Sequence, residues 1–404
     1  MVGFVVVVFG TLGVLHALLW QRLVASPLWG RPWRLLLSAV FLGGGLSLPL
    51  AFFARYLSPD LRIWSHAAYL WLGFFFYLLV FLVPAEFTRV AVVLGRKARS
   101  RVRDAEHDEV TTGSASAAEG SATDLGRRVA MQRMLAGGVA GAAGAITGFG
   151  ISETARSVDV EHVNVPLRAL PAAFVGLRIV QITDVHIGAI LQRSWLEGVV
   201  RQVNALQPDV IAITGDLVDG SVPQLAKHVA PLAELKAKHG VFFVSGNHEY
   251  YSGVDPWMAH LETLGIRTLR NARHTLREGA SALTLAGIED LHAERFPGGM
   301  RPDIDAALRG YTREKDGPVV LLAHQPKAIN IGAAAGVDLQ ISGHTHGGQL
   351  VPFNWLVYLE QPYISGLHRR GDTWIYISRG TGFWGPPMRV GAPAEITHIT
   401  LTVA

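Results

Sequence analysis

Three long apolar stretches within the first 95 residues constrain this chain more than any other feature. Val2–Trp20 contains one titratable residue, His16, and is about long enough to cross the ~30 Å hydrocarbon layer of a bilayer as a helix. Residues 35–53 form a second such run. Residues 63–83 form a third, rich in Phe, Tyr, Trp and Leu, with Trp and Tyr where interfacial anchors belong. A cleaved signal peptide fits the first run poorly, because no basic segment precedes it and two further runs follow. Only 17% of residues are charged, below the roughly 25% usual in soluble domains, which also places part of the chain in a membrane.

Residues 135–151 are a fourth, Ala/Gly-rich candidate near the lower length limit for a span, with small residues suited to close helix packing. The competing reading is a Gly/Ala linker. Arg22, Arg31 and Arg34 follow the first run, and Arg89, Arg96, Lys97, Arg99, Arg101 and Arg103 follow the third. The connection between the second and third is short, with Arg55 and Arg62 against Asp60. Basic connections stay cytoplasmic, so the N-terminus is expected outside. A fourth span then carries the C-terminal half outside as well; without it, that half is cytoplasmic. Arg127-Arg128, just ahead of the Ala-rich run, looks like an internal twin-arginine export signal. Residues 104–124 are rich in Ser, Ala, Thr, Gly and acids and read as a disordered cytoplasmic linker. The expected organisation is three transmembrane helices (1–95), a polar linker (96–133), a fourth transmembrane helix (134–152), a tether (153–176) and an α/β domain (177–404).

The absence of cysteine excludes a disulfide framework, a thiolate zinc site, an iron–sulfur cluster and a cysteine nucleophile. The net charge of +4 would suit nucleic acid or anionic lipid, but the arginines gather beside the spans and no basic stripe marks the C-terminal half. No nucleic-acid partner is expected. The spans hold no paired charges of the kind that mark ion paths, which disfavours a transporter.

From about residue 177 short β-branched runs alternate with helical patterns. Strands are expected at 177–183, 210–214, 241–245, 281–288, 319–323, 339–342, 374–378 and 396–403, and helices at 195–206, 222–238 and 256–264. Polar residues cluster where these strands end, the usual ligand-binding edge of α/β sheets. They are Asp184 and His186; Asp216 and Asp219; Asn247, His248 and Glu249; His324; and His344 and His346. This oxygen and nitrogen donor set suits Mn, Fe or Zn. In Asp184-x-His186 an extended backbone would turn both side chains the same way, whereas glycines around His344 and His346 suggest a loop aiming the rings at different ions. Asp216 has two oxygens with which to bridge two ions.

The series Asp-x-His, Gly-Asp-x-x-Asp, Gly-Asn-His-Glu, a lone His and Gly-His-Thr-His resembles the calcineurin-like metallophosphoesterases. The resemblance covers about residues 177–404, and the preceding helices are similar to the family's bacterial membrane-anchored branch. Ser378-Arg379-Gly380 and Gly385-Pro386-Pro387-x-Arg389 add weaker likeness to that branch. It implies a two-sheet αββα sandwich holding two divalent ions. Asp184, His186, Asp216 and His346 would hold one, and Asp216, Asn247, His324 and His344 the other. Asp219 stands where purple acid phosphatases place a tyrosine ligand, so their tyrosinate colour is not expected; it would instead orient His248, a non-ligating acid. The implied activity is hydrolysis of phosphate mono- or diesters, lipid- or envelope-linked esters among them, by a metal-bound hydroxide. The alternative is a metal-dependent binding or sensory module without turnover. Arg379 and Arg389 are candidates for substrate contact or for structure, and Phe383-Trp384 for core or for an apolar lip facing lipid.

Overall fold

A computed structural model of the chain describes residues 2–57, 62–106 and 117–404. It divides into two units, Met1–Phe149 and Gly150–Ala404. The first is helical. Helix α1 (Val2–Trp20) continues through a π-helical turn, Gln21–Ala25, and is followed by α2 (Arg31–Leu57), α3 (Arg62–Glu106) and α4 (Ala117–Thr154). Among the described residues four segments are long and apolar enough to cross a membrane: Val6–Ala25, Arg31–Ala51, Trp64–Val92 and Leu125–Thr154. His16 is satisfied inside this unit. Its Nδ1 lies 2.8 Å from the Leu12 carbonyl, its Nε2 accepts from Trp71 Nε1 at 2.9 Å, and its ring stacks on Phe75. Gly44 makes room for that arrangement, because a Cβ there would overlap the Trp71 ring.

One expectation changes here. Much of the stretch read as a polar linker is helical, since α3 runs to Glu106 and α4 begins at Ala117; helix formers such as Arg, Glu and Ala extend a helix as readily as they fill a linker. Residues 107–116 of that stretch lie outside the described residues, as do 58–61 of the second connection.

The second unit holds twelve strands in two six-stranded sheets. They are β1 (Asp159–Leu167), β2 (Arg178–Ile182), β3 (Val210–Thr214), β4 (Val241–Val244), β5 (Ile266–Thr268), β6 (Ala272–Glu278), β7 (Ser281–Gly287), β8 (Val319–Leu322), β9 (Leu339–Ser342), β10 (Gly366–Arg370), β11 (Thr373–Ile377) and β12 (Glu395–Val403). One sheet runs β1-β12-β2-β3-β4-β5 and the other β10-β11-β9-β8-β7-β6. Alternate residues sort to opposite faces, as a strand's two-residue period requires. Ile179, Val210, Ala212, Phe242 and Val244 pack against Leu283, Leu285, Val320, Leu322, Leu339 and Ile341 between the sheets. Val180, Ile182, Ile211, Ile213 and Phe243 point the other way. They meet Leu196, Val199 and Val203 of α5 (Arg193–Ala205), Leu225 of α6 (Val222–Val229) and Trp257 and Leu261. The second sheet buries Ala286, Val319 and Leu321 under Ile304, Ala307 and Ala328. The result is the αββα sandwich.

The expected tether is partly a strand. β1 lies parallel to β12 over nine residues, Asp159↔Glu395 to Leu167↔Val403, so it is an edge of the first sheet. Its outer residues are solvated and only Val165 and Leu167 are buried, which hides a strand behind a polar pattern. The helix expected over 222–238 is shorter. It ends at Val229 because Pro231 cannot continue it, and a 3₁₀ turn, Ala230–Glu234, follows.

β2, β3 and β4 are mutually parallel, as are β7, β8 and β9, so their carboxyl ends emerge along one edge of the sandwich. Beneath that edge Gln181 Nε2 donates to Thr214 Oγ1 (2.7 Å) and to the Ser342 carbonyl (2.9 Å), joining the two sheets under the loops that follow.

Candidate metal centre

Each loop beyond that edge delivers donors. Asp184 and His186 follow β2, Asp216 and Asp219 follow β3, Asn247 and His248 follow β4, His324 follows β8, and His344 and His346 follow β9. All nine converge. Asp184, His186 and His346 form one cluster whose donor atoms lie within 4.8 Å of one another, and Asp216, His324 and His344 form a second. His186 Nε2 is 3.1 Å from His346 Nε2, which is 3.3 Å from Asp184 Oδ1. His324 Nε2 is 3.1 Å from His344 Nδ1 and from Asp216 Oδ2. The same Asp216 oxygen lies 4.0 Å from His186 Nε2, between the clusters.

The expectation of an extended Asp184-x-His186 is corrected. Asp184 (φ +52°) and His186 (φ +50°) are left-handed, as are Asp216 (+50°), His344 (+71°) and His346 (+51°). Non-glycine residues seldom hold this conformation, and it costs of order 1–3 kcal/mol each. Five of the expected ligands therefore sit on strained backbone, held by the surrounding bonds. Asp184 accepts the His344 N–H (2.9 Å), and Asp216 accepts the His248 N–H (2.9 Å). Two glycines permit the crowding: a Cβ at Gly343 would overlap Asp184 Oδ2, and one at Gly246 would overlap Asp216 Oδ1.

The donors fit a pair of cations. Asn247 Oδ1 is buried with no hydrogen-bond partner in the protein, an expensive condition for a carbonyl oxygen unless an ion satisfies it. His324 Nδ1 donates to the Thr214 carbonyl at 2.8 Å, which leaves its Nε2 lone pair facing the second cluster. His186 Nδ1 faces Asp219 at 3.2 Å, which leaves its Nε2 facing the first. Asp184 and Asp216 bring two buried negative charges. Burial pushes Asp184 upward against the pull of His324 and His186. Burial acts the same way on Asp216, yet His324 and His248 hold it well below the usual range. Burial and the adjacent His324 push His344 down to about 3, which suits a neutral ligand imidazole.

His248 is in neither of these two clusters, but with His186 and Asp216 it makes a third group of donor atoms within 4.8 Å of one another. Its Nδ1 is bonded to Asp219, and its Nε2 points toward Asp216 Oδ2 at 3.9 Å. Burial would lower its pKa, but Asp216 and Asp219 push it up to about 9. Asp219 keeps about a third of its side chain in solvent. Desolvation would raise it, and the His186 and His248 imidazoles hold it far below the carboxylate range instead. One carboxylate thus bonds two imidazoles, His186 and His248, a double contact beyond the sequence reading.

Other supporting residues were less legible. Glu249 accepts the N–H groups of Asp216 (3.0 Å), Leu217 (2.8 Å) and Gly246 (2.7 Å), tying two ligand loops together; burial first, then Asp216, pushes it up to about 7. Buried Asp290 accepts from Gln325 Nε2 at 2.9 Å, beside His324, and no motif marks it. Tyr251 and Trp384 place their rings 5.2 and 6.2 Å from that of His248. Arg379 and Arg389 are structural. Arg379 pairs with Glu161 and Glu395, and buried Arg389 donates to the carbonyls of Gly380, Gly382 and Ala392.

Oxygen and nitrogen donors gathered at the carboxyl edge of a two-sheet α/β sandwich make a candidate metal-binding site. Residues 177–348 match the calcineurin-like phosphoesterase family. The chain is 40% identical over 266 residues to a transmembrane protein with metallophosphoesterase domain of Danio rerio, covering 63% of this chain and 60% of that one. It is 42% identical over 227 residues to an uncharacterized metallophosphoesterase of Helicobacter pylori, covering 56% and 60%. An uncharacterized metallophosphoesterase of Aquifex aeolicus is 32% identical over 246 residues, covering 60% of this chain and 91% of that one. The chain belongs to the calcineurin-like metallophosphoesterases, and its helical region holds four segments long and apolar enough to cross a membrane. Its match spans about 60% of the length of the zebrafish and Helicobacter relatives.

Proposed function

We propose that the chain hydrolyses phosphate esters at a dinuclear metal centre held beside a bilayer. The supporting observation is the pair of donor clusters on either side of one Asp216 oxygen, with His248 facing them. Asp184, His186, Asp216 and His346 would hold one divalent cation, and Asp216, Asn247, His324 and His344 the other; Mn, Fe and Zn suit these donors. When bound, two such cations acidify a water and neutralise charge on a phosphoryl group.

The chain's own residues do the rest. His186 and His324 are locked in the tautomers that present Nε2. His248, kept cationic by Asp219, donates a hydrogen bond to the phosphate and gives its Nε2 proton to the departing ester oxygen. Glu249 holds the β3 and β4 loops together, so Asp216 and Asn247 stay in place. No side-chain nucleophile is required. Mono- and diesters are both within this reading, and lipid- or envelope-linked esters follow from a site near the membrane.

The domain is assigned to the extracytoplasmic side, with α4 as the fourth span and the basic residues after the first and third spans inside. Arg127-Arg128 would then mark export of the folded domain. Protease added to intact cells should degrade the C-terminal half; degradation only after lysis overturns this side. The activity is tested by offering the detergent-solubilised full chain a panel of phosphomonoesters and diesters with each metal. Hydrolysis that is lost in Asp216→Asn and His344→Ala, with circular dichroism unchanged, supports the proposal. Metal binding without cleavage of any ester overturns it.

A further inference from the structure

The loop after His346 carries a run of outward-facing apolar side chains. Leu359 is 82% exposed and Trp355 71%, and Leu356 and Tyr358 are more than half exposed, as is Trp384 on a neighbouring loop. Soluble surfaces rarely gather so many large apolar groups without a use for them. The loop is anchored at the site itself. Gln349 Nε2 donates to the Trp384 carbonyl (2.8 Å) and Gln349 Oε1 accepts its N–H (2.9 Å). At its far end Gln361 meets Gln325, next to His324, at 3.3 Å, and Thr345 Oγ1 donates to the Ile364 carbonyl at 2.6 Å. The apolar loop therefore forms part of the rim of the metal centre, with Trp384 beside His248.

The same loop is joined to the carboxyl end of α4. Val351 N donates to the Val390 carbonyl (3.0 Å) and Val390 N to the Gln349 carbonyl (2.8 Å). One residue away, Arg389 N donates to the Gly150 carbonyl (3.0 Å), and Thr154 Oγ1 donates to the Pro387 carbonyl (3.1 Å). Gly150 and Thr154 are in the last turn of the candidate span Leu125–Thr154. The segment that pairs with the apolar loop is thus fastened to the last residues of that candidate span. Trp, Tyr and Leu are the side chains suited to that interface.

We propose that the 353–359 loop, with Trp384, is a lip seated in the lipid surface, so that the metal centre takes its phosphate ester from the bilayer rather than from solution. The occupant is lipid, because the loop is joined through hydrogen bonds to the end of a span. This rests on the phosphoesterase reading for its catalytic half and stands alone for its seating half.

The chain has no cysteine, so a single introduced thiol can be labelled cleanly. Leu359→Cys and, as a control, Asp372→Cys at the amino end of β11 would be nitroxide-labelled in the full chain. Asp372 is 80% exposed, at the opposite end of the strands from the site. In phosphatidylcholine proteoliposomes the label at 359 should collide mainly with oxygen, and that at 372 mainly with a water-soluble nickel chelate. A label at 359 that meets the chelate as freely as that at 372 overturns the proposal. So does a label shielded from both, which marks a protein partner instead.

The catalytic half uses two diesters with one leaving group, p-nitrophenyl methyl phosphate in solution and p-nitrophenyl hexadecyl phosphate in the vesicles. The triple variant Trp355→Ser/Leu356→Ser/Leu359→Ser should lose at least tenfold on the anchored ester and less than twofold on the soluble one. Equal loss on both, or none on either, overturns the lip's catalytic role. If neither ester is cleaved by the unaltered chain while the label reads as lipid-exposed, the phosphoesterase reading falls and the seating stands.

Discussion

Asp219→Asn isolates the acid from the metal ligands. The structure gives this carboxylate two imidazole partners, His248 Nδ1 and His186 Nδ1. His248 is pushed up to about 9 against burial by Asp216 and Asp219 together. Cations on Asp216 would cancel its share, leaving Asp219 as the group that keeps the ring charged. With an amide there, the ring returns toward the ordinary value of about 6.5, so about a tenth of it is protonated at pH 7.5. The active form is the protonated one, so activity is lost as pH rises through this pKa, and the alkaline limb of kcat should move to lower pH in the variant.

Loss of a positioned acid costs about 10²–10⁴ where the leaving oxygen needs a proton. His248 is still present and about a tenth protonated, so at pH 7.5 the variant should lose about tenfold through the acid and about 10² in all on an alkyl diester once the looser hold on His186 is added. On p-nitrophenyl esters, whose leaving group departs as the anion, the remaining loss is the looser hold on His186, about tenfold at saturating metal. The assay is kcat against pH for both esters with metal in excess. Equal losses on both leaving groups, or an unmoved alkaline limb, would refute the role of His248 as acid.

Three other outcomes follow from particular contacts. Gly343→Ala forces a Cβ into Asp184 Oδ2 and Thr183 Oγ1, and should cost about 1–3 kcal/mol of stability together with metal affinity, read by urea unfolding and calorimetry. Asp209 is held below its usual range: burial opposes this, but Arg178 bonds it through N–H and guanidinium. That stability is complete above about pH 4 and lost as pH falls through the lowered value, so Asp209→Asn should cost about 0.5–1 kcal/mol at pH 7 and progressively less as the pH falls below about 4, since the pair is partly exposed. A chelator should abolish ester hydrolysis while leaving far-ultraviolet circular dichroism intact, with activity restored by Mn, Fe or Zn.

The sandwich was legible where strands are buried on both faces. Val210–Thr214 and Leu339–Ser342 have the expected bounds, because an apolar run between a turn and a Gly-bearing loop has no other reading. Edge strands were not legible. β1, β6 and β10 are mostly half-buried or solvated, and β1 contains Pro166, so their pattern resembles a linker. The donors were legible as motifs at strand ends, but their left-handed backbone was not, since spacing in a sequence does not reveal φ. Asp290 and the second partner of Asp219 arise from contacts between distant loops, which leave no local signal.

The proposed chemistry requires two cations sharing Asp216. Elemental analysis of the purified full chain, loaded with Mn and freed of excess, tests this directly. The prediction is about two ions per chain, falling below one in Asp216→Asn while His248→Ala keeps both. Fewer than one ion in the unaltered chain, or two in Asp216→Asn, would contradict it.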